Sequence, residues 1–153
     1  MDLILWRHAE AQEWVEGCDD MARKLTSRGE KQASHMAHWL DRQLPENTRV
    51  LVSPSRRTEQ TAMALNRKYK IRPELAPGAN VTQLLELVQW NTGKGTVLVV
   101  GHQPTLGQTI AQLIGFSDTE CSVKKGATWW LRNRERGERT HTVVVTVQSP
   151  AFL

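Results

Sequence analysis

The stretch LILWRHAEA, residues 3–11, joins a short apolar run directly to an arginine and a histidine. The apolar run predicts a buried strand over residues Asp2–Trp6. Arg7 and His8 follow at its end, where two cationic or near-cationic groups contribute little to a fold but suit the binding of an anion. The fold therefore depends on what this strand pairs with, and the function on what joins Arg7 and His8.

Two further apolar runs predict strands of the same sheet. They are RVLVS at Arg49–Ser53 and TVLVVGH at Thr96–His102, and their continuous apolar centres are typical of strands buried on both faces. Helical patterns lie between these runs. Strands that alternate with helices predict right-handed crossovers and a mostly parallel central sheet flanked by helices, which is the α/β class.

Four helices are predicted from apolar residues at helical spacing. Ser27 and Glu30 predict a capping box for the first, the second runs from about Ser55 to Lys68, Asn80 opens the third, and the fourth starts near Pro104. Their apolar stripes are Ala33, Met36, Ala37, Leu40 and Leu44; Ala62 and Leu65; Val81, Leu84, Leu85 and Val88; and Leu106, Ile110 and Leu113.

The C-terminal part departs from this alternation. Residues 126–133 (GATWWLRN) and 141–148 (HTVVVTVQ) read as two strands joined by a Gly-containing turn, which predicts a β-hairpin at or near the sheet edge. Trp129 and Trp130 are expected to pack in the core or on the sheet face. Residues 73–80 read as a loop and not a boundary, so we expect a single domain over residues 1–153.

Composition excludes several classes of protein. The net charge of +4 is mild and favours anionic partners such as phosphate groups or acidic protein surfaces, without indicating nucleic acid. The basic run at residues 132–141 reads as a solvated hairpin turn. Cys18 and Cys121 have no CxxC spacing, so neither a disulfide framework nor a cysteine zinc site is expected. No long apolar window or cleavable leader is present, which predicts a cytoplasmic protein without a membrane segment.

Polar groups end all three predicted strands. Arg7 and His8 follow the first, SPSRRTEQT (residues 53–61) follows the second, and Gly101 and His102 end the third. Ligands of open α/β sheets bind beyond the carboxyl ends of the strands, so these groups can converge. Two guanidinium groups and two imidazoles in one pocket repel each other, and a dianionic phosphoryl group relieves that repulsion.

The remaining histidines have no predicted role in such a pocket. His35 and His38 fall away from the apolar stripe of the first helix and are expected to be exposed to solvent. His141 lies at the base of the predicted hairpin. The candidate site therefore depends on His8 and His102.

These residues carry a family resemblance. RHA after the first strand, LT..GE.QA at the first helix, SPSRRTEQT and VVGHQP resemble, in order and spacing, the histidine phosphatase superfamily. The short chain and the form RHAEA resemble its SixA-type phosphohistidine phosphatases. The resemblance implies a phosphoglycerate mutase-like fold, a three-layer sandwich.

The resemblance also implies roles for four residues. His8 would be the nucleophile that becomes phosphorylated, and Arg7, Arg57 and His102 would hold the phosphoryl oxygens. Arg57, three residues before Gln60, matches the family arginine, which leaves Arg56 as a surface cation. Neither a metal nor a cofactor is required, because phosphoryl transfer needs mainly positioning and charge stabilisation.

Two features bear on the substrate. Larger members use a carboxylic acid to protonate the leaving oxygen, and the nearest candidates here, Glu74 and then Glu10, read more simply as solvated loop carboxylates. An imidazole leaving group needs less help, which favours a protein phosphohistidine substrate. A small-molecule phosphomonoesterase and a non-catalytic phosphate-binding or polyanion-binding module are the alternatives.

Overall fold

The helices and strands follow the alternation expected from the sequence. The computed structural model describes residues 1–153, apart from the side chain of Arg136. The strands are β1 (Asp2–Arg7), β2 (Arg49–Val52), β3 (Lys70–Ile71), β4 (Thr96–Gly101), β5 (Thr128–Arg136) and β6 (Arg139–Gln148). The helices are α1 (Ser27–Gln43), α2 (Arg56–Met63), α3 (Val81–Val88) and α4 (Thr105–Ile114). Short 3-10 turns lie at Asp20–Ala22, Pro73–Leu75 and Pro150–Phe152.

All six strands form one mixed sheet in the order β3-β2-β4-β1-β5-β6 in the described part of the chain. The neighbours β1 and β4, β2 and β4, and β2 and β3 pair in parallel. β5 pairs with β1 and with β6 in antiparallel fashion, so the hairpin extends one edge of the sheet. The predicted mostly parallel sheet with a C-terminal hairpin is confirmed.

The apolar pattern does not predict β3. This strand has two residues, Lys70 and Ile71, and both are exposed. It pairs with Leu51 and Val52 of β2 and ends the sheet on that side. Short polar edge strands carry no apolar run, so periodicity does not detect them.

The two faces of the sheet bury separate apolar clusters, because successive strand side chains point to opposite faces. On one face, Leu3 and Leu5 of β1 pack with the apolar residues of α3 and α4. On the other, Ile4 and Trp6 pack with those of α1 and α2. Helices thus cover both faces, which is the three-layer arrangement that the sequence predicts.

The start of α1 differs from the prediction. Thr26 is the N-cap, with an extended backbone and a side-chain oxygen that accepts a hydrogen bond of 3.0 Å from the amide of Gly29. The predicted capping box of Ser27 and Glu30 is therefore wrong by one residue. The reason is local: Ser27 already lies inside the first helical turn, so the hydroxyl that reaches the third helical amide belongs to Thr26.

Of the other helix boundaries, only the end of α2 differs from the prediction by several residues. α2 ends at Met63 instead of near Lys68, because Asn66 adopts a left-handed φ of 54° that does not continue an α-helix. Asn80 caps α3 as predicted, in a capping box with Gln83. α4 begins directly after the predicted starting region at Pro104.

Exposure agrees with the sequence at the residues that were given no site role. His35, His38 and His141 are exposed. Trp130 is buried on one face of the sheet and Trp129 is half-buried against the other core, so both act in packing.

The remaining sequence features lie at the surface or partly buried. The hairpin turn at Gly137 and Glu138 is exposed, as its charge pattern predicts. Cys18 and Cys121 are partly buried free thiols. Among the described residues, no helix is both long enough and apolar enough to cross a bilayer.

Gly29 fixes the approach of α1 to the segment after β1. A Cβ at this position would lie 1.9 Å from the carbonyl oxygen of Glu10, and that oxygen also accepts the amide of Thr26 at 3.0 Å. A helical Gly→Ala exchange ordinarily stabilises by about 1 kcal/mol. Here we expect Gly29→Ala to lower the free energy of unfolding by about 2 kcal/mol, as other overpacked sites do.

The measurement is equilibrium urea unfolding, with the exposed Ser34→Ala on the same helix as the control. A Gly29→Ala protein that unfolds at a higher urea concentration than the wild type would show that the contact is not restrictive.

Candidate active site

The three polar strand ends converge, as the sequence predicts. The amide of His8 donates to the carbonyl of Gly101 at 3.1 Å, which continues the β1–β4 pairing and places His8 beside His102. Arg7, His8, Arg57 and His102 line one cavity of about 190 Å3. The other lining residues are Ala11, Arg23, Pro77, Gln103 and Lys125.

The ring of His8 has a defined tautomer. Its Nδ1 lies 2.7 Å from the carbonyl oxygen of Ala9. A carbonyl oxygen only accepts, so Nδ1 carries the proton and donates it. Nε2 therefore keeps its lone pair, which is the form that a nitrogen nucleophile requires.

Both site histidines are held neutral. Burial is the main cause that lowers the pKa of His8 to about 4. The hydrogen bond to Ala9 raises this pKa, and the charge of Arg57 lowers it further. Burial also lowers the pKa of His102 to about 3, with further contributions from the nearby His8 and Arg57. The two rings are 5.3 Å apart, so a proton on either would also disfavour a proton on the other.

Arg57 is held at the start of α2. Ser55 caps this helix and turns the next residues so that Arg57 is buried while Arg56 is exposed. Two nitrogens of the Arg57 guanidinium group are bound by Asp20: Nη1 donates to its backbone carbonyl at 2.7 Å and Nη2 to its carboxylate at 3.1 Å. The register that selects Arg57 over Arg56 therefore agrees with the geometry.

Arg7 is anchored by the loop that precedes β5. Its Nη1 donates to the carbonyl of Val123 at 2.8 Å. The Nε–H groups of Arg7 and Arg57 are both buried without a partner among the described residues. Unpaired buried donors on two cavity-lining guanidinium groups are unusual and are suited to an anionic acceptor.

Hydroxyl groups of the second strand-end motif, SPSRRTEQT at residues 53–61, hold this arrangement together. Ser53 Oγ lies 2.7 Å from Nε2 of His102, and Thr58 Oγ1 donates to the carbonyl of Ser53 at 2.7 Å. Thr61 Oγ1 accepts the amide of Ala9 at 3.1 Å and donates to the carbonyl of Arg57 at 2.8 Å. The segment after β1 and the helix α2 are therefore fixed to each other.

The two candidate proton donors lie outside the cavity. Glu74 accepts a hydrogen bond of 2.6 Å from Arg72 and lines a different cavity. Glu10 accepts one of 2.7 Å from the hydroxyl of Thr26 and faces a neighbouring groove. The structure brings neither carboxylate to the residues around His8. The described residues also contain no group of three or more His, Cys, Asp or Glu arranged to hold a metal ion.

Sequence reasoning missed several residues of the site. The carboxylate of Asp20 accepts a hydrogen bond from Arg57. It also accepts one of 2.9 Å from the Nε–H of Arg23. Burial alone would raise the pKa of the Asp20 carboxyl, but the hydrogen bond from Arg23 and the charge of Arg57 keep it below its ordinary value. Lys125 also lines the cavity. An Asp in a turn and a Lys in a loop have many structural roles, so only their positions in space identify them.

Comparison with known proteins agrees with this geometry. The sequence profile of the histidine phosphatase superfamily (branch 1) matches residues 3–80, which include Arg7, His8 and Arg57. The chain belongs to this superfamily. Its phosphatase class and its fold follow from that membership, and the predicted resemblance is confirmed.

Individual relatives match more of this superfamily member than the family profile does. The chain is 35% identical over 121 residues to phosphohistidine phosphatase SixA of Escherichia coli, with 74% of each chain covered. It is 30% identical over 130 residues to a SixA homologue of Haemophilus influenzae, covering 75% and 78% of the two chains. The solved structure of the protein histidine phosphatase SixA complexed with tungstate matches with a TM-score of 0.81 and 28% identity over 99% of both chains.

The buried neutral histidines predict a pH-dependent stability. Below the ordinary pKa of 6.5 the unfolded chain takes up protons that His8 and His102 do not take up until about pH 4 and 3. The free energy of unfolding should therefore fall as the pH decreases from about 6.5 towards 4, by at most about 1.4 kcal/mol per pH unit for each histidine.

Urea unfolding at several pH values checks this, because His8→Gln and His102→Gln should each make the dependence shallower. Exposed His35→Gln is the control. A slope that both site variants leave unchanged would contradict the neutral state of these rings.

Proposed function

We propose that this protein is a protein-phosphohistidine phosphatase that forms a covalent phosphohistidine at His8. One observation carries the proposal: Nε2 of His8 keeps its lone pair in a cavity that the guanidinium-bearing residues Arg7 and Arg57 also line. A neutral nitrogen nucleophile beside cationic donors suits attack on a phosphoryl group.

The relatives support the same chemistry. Tungstate, present in the solved SixA complex, is a tetrahedral oxyanion like phosphate. We infer that the cavity here takes a phosphoryl group of the same shape. Arg7, Arg57 and His102 are the groups proposed to bind its oxygens, because they line the cavity together with His8.

The proposed reaction has two steps. In the first, Nε2 of His8 attacks phosphorus, and the bond from phosphorus to the nitrogen of the substrate breaks. The two arginines stabilise the charge on the equatorial oxygens. In the second, water attacks phosphorus and the bond from phosphorus to Nε2 of His8 breaks. Inorganic phosphate leaves, the proton lost by the water passes to phosphate or to solvent, and His8 returns to its neutral form.

The placement of Glu74 and Glu10 outside the cavity favours a phosphohistidine substrate. Departing imidazole takes its proton from water near neutral pH, whereas an alkoxide needs a positioned acid. We further propose that no metal takes part, because the guanidinium groups supply the positive charge that a metal would bring. Small phosphorylated molecules remain the alternative substrates, and a cytoplasmic location is part of the proposal.

The adjacent arginines of the second motif supply a matched pair of variants. Arg57→Lys keeps the charge but loses the guanidinium fork, so kcat/KM should fall about a hundredfold, as when one charge-stabilising donor is lost. Arg56→Lys changes an exposed residue and should leave kcat/KM near the wild-type value. Both are measured with an aryl phosphate and with a phosphohistidine protein, after circular dichroism has confirmed the fold.

Damage confined to Arg56→Lys would contradict the register of the motif. Wild-type rates in both variants would contradict the proposed role of Arg57.

Trapping the phosphorylated enzyme tests the nucleophile directly. Brief incubation with a 32P-labelled phosphohistidine protein, followed by denaturing quench and peptide mapping, should place the label on the peptide that contains His8. His8→Ala should lose both the label and the turnover, because no other side chain is proposed to accept the phosphoryl group.

The labelling is carried out in EDTA. Label that persists in His8→Ala would contradict the assignment of the nucleophile, and label that requires added Mg2+ or Zn2+ would contradict the metal-free reaction. Comparison of phosphohistidine protein with sugar phosphates and nucleotides decides between the two substrate classes.

A further inference from the structure

A basic groove lies next to the catalytic cavity. It has a volume of about 610 Å3, larger than the cavity itself. Its charged and titratable lining residues are Arg28, Lys31, His35, Lys124, Lys125 and Glu10. Gln32 and the C-terminal residues Ser149, Pro150, Ala151 and Leu153 complete its walls.

The groove adjoins the cavity, because Lys125 lines both. The loop that carries Lys125 is fixed to the end of β1 on both sides. Val123 accepts the guanidinium group of Arg7 at 2.8 Å, and the amide of Gly126 lies 3.2 Å from the carbonyl of Arg7 and 3.1 Å from that of His8. The position of Lys125 is therefore coupled to that of the candidate catalytic residues.

The opposite wall of the groove is one face of α1. Arg28, Lys31 and His35 are spaced by three and four residues, which places them along one side of the helix. Gln32, on the same side, accepts the amide of Glu10 at 3.0 Å. This contact ties the helix to the segment that follows β1, and the same segment carries His8.

The charges of the groove are not neutralised within the protein. Arg28, Lys31, Lys124 and Lys125 form no ion pair among the described residues. The carboxylate of Glu10 lines the same groove and accepts a hydrogen bond from the hydroxyl of Thr26, so one negative side chain stands against four positive ones. A surface with this excess of positive charge attracts acidic groups.

We propose that this groove binds acidic side chains that flank the phosphohistidine on a protein substrate. The inference rests on the proposed function, because the groove matters for catalysis only when the phosphoryl group in the cavity is attached to a chain long enough to reach it. Asp and Glu residues near the phosphohistidine would then face the cations of α1 and of the loop at Lys124 and Lys125.

The lining favours an acidic protein over a nucleic acid. Proteins that bind single strands stack the bases on aromatic side chains, and no Phe, Tyr or Trp lines the described groove. A second basic cavity of about 490 Å3, lined by residues including Arg49 and Lys70, shares no lining residue with the catalytic cavity.

The test uses two synthetic peptides with one phosphohistidine each. Asp and Glu flank the phosphohistidine in the first peptide, and Ser and Gln flank it in the second. The measured quantity is the ratio of kcat/KM for the acidic peptide to kcat/KM for the neutral one. Arg28→Glu combined with Lys31→Glu reverses two charges of the groove, at positions near the N-terminus of α1 where Glu is tolerated.

The matched control reverses two exposed charges away from the site. Both lysines lie at the amino ends of strands. Lys94 precedes Gly95, whose carbonyl accepts the amide of Asp2 at the start of β1, and Lys68 lies just before β3. Lys68→Glu combined with Lys94→Glu therefore alters the total charge equally at the opposite end of the sheet.

We expect the wild type and the control variant to prefer the acidic peptide about tenfold, a size consistent with two or more partly exposed ion pairs. The groove variant should lose this preference, and added NaCl should reduce it in the wild type.

Three outcomes would overturn the proposal. The ratio is close to one in the wild type, it is unchanged in the groove variant, or a single-stranded oligonucleotide inhibits through Arg28 and Lys31 while the acidic peptide shows no preference. Absence of turnover of both peptides by the wild type would instead reject the proposed function itself, so the two failures are distinguishable.

Discussion

The hydrogen bond from the amide of His8 to the carbonyl of Gly101 continues the parallel pairing of β1 and β4 beyond the end of β1. Because both strands run in the same direction, His8 and His102 leave the sheet at the same edge. Ser53 follows β2 in the same way, with its amide bonded to the carbonyl of Val100 at 3.0 Å. The candidate site therefore depends on the parallel centre of the sheet, whose register is set by burial of both faces.

That edge combines groups with opposed electrostatic requirements. Burial keeps His8 and His102 neutral by lowering the pKa of each ring far below its ordinary value. Burial also lowers the pKa of the Arg7 and Arg57 guanidinium groups, although arginine stays charged. The result is a neutral imidazole, the proposed nucleophile, beside two permanent positive charges. A phosphoryl dianion benefits from those charges, while the neutral imidazole remains able to attack it.

The surrounding contacts hold each charged group from a different part of the chain. Asp20 binds Arg57, the loop at Val123 binds Arg7, and Ser53 is in hydrogen-bond contact with His102. The loop at Val123 continues into Lys125, which joins the cavity to the basic groove along α1. The same loop therefore holds Arg7 in the candidate site and supplies Lys125 to the proposed docking surface.

The sequence by itself determined the central strands, the apolar faces of the four helices and the four candidate residues that follow the strands, because apolar periodicity and the motifs around Arg7 and Arg57 are local signals. It did not reveal β3, whose two exposed residues carry no apolar pattern. It also did not reveal the cap at Thr26, because the neighbouring Ser27 carries a hydroxyl as well and only the backbone geometry decides which of the two caps the helix. The tertiary structure alone decided that Asp20 holds Arg57, that Glu74 and Glu10 lie outside the cavity, and that α1 and Lys125 form one groove. These are contacts between residues far apart in the chain, and only the packed sheet brings them within the few ångströms over which hydrogen bonds and charges act.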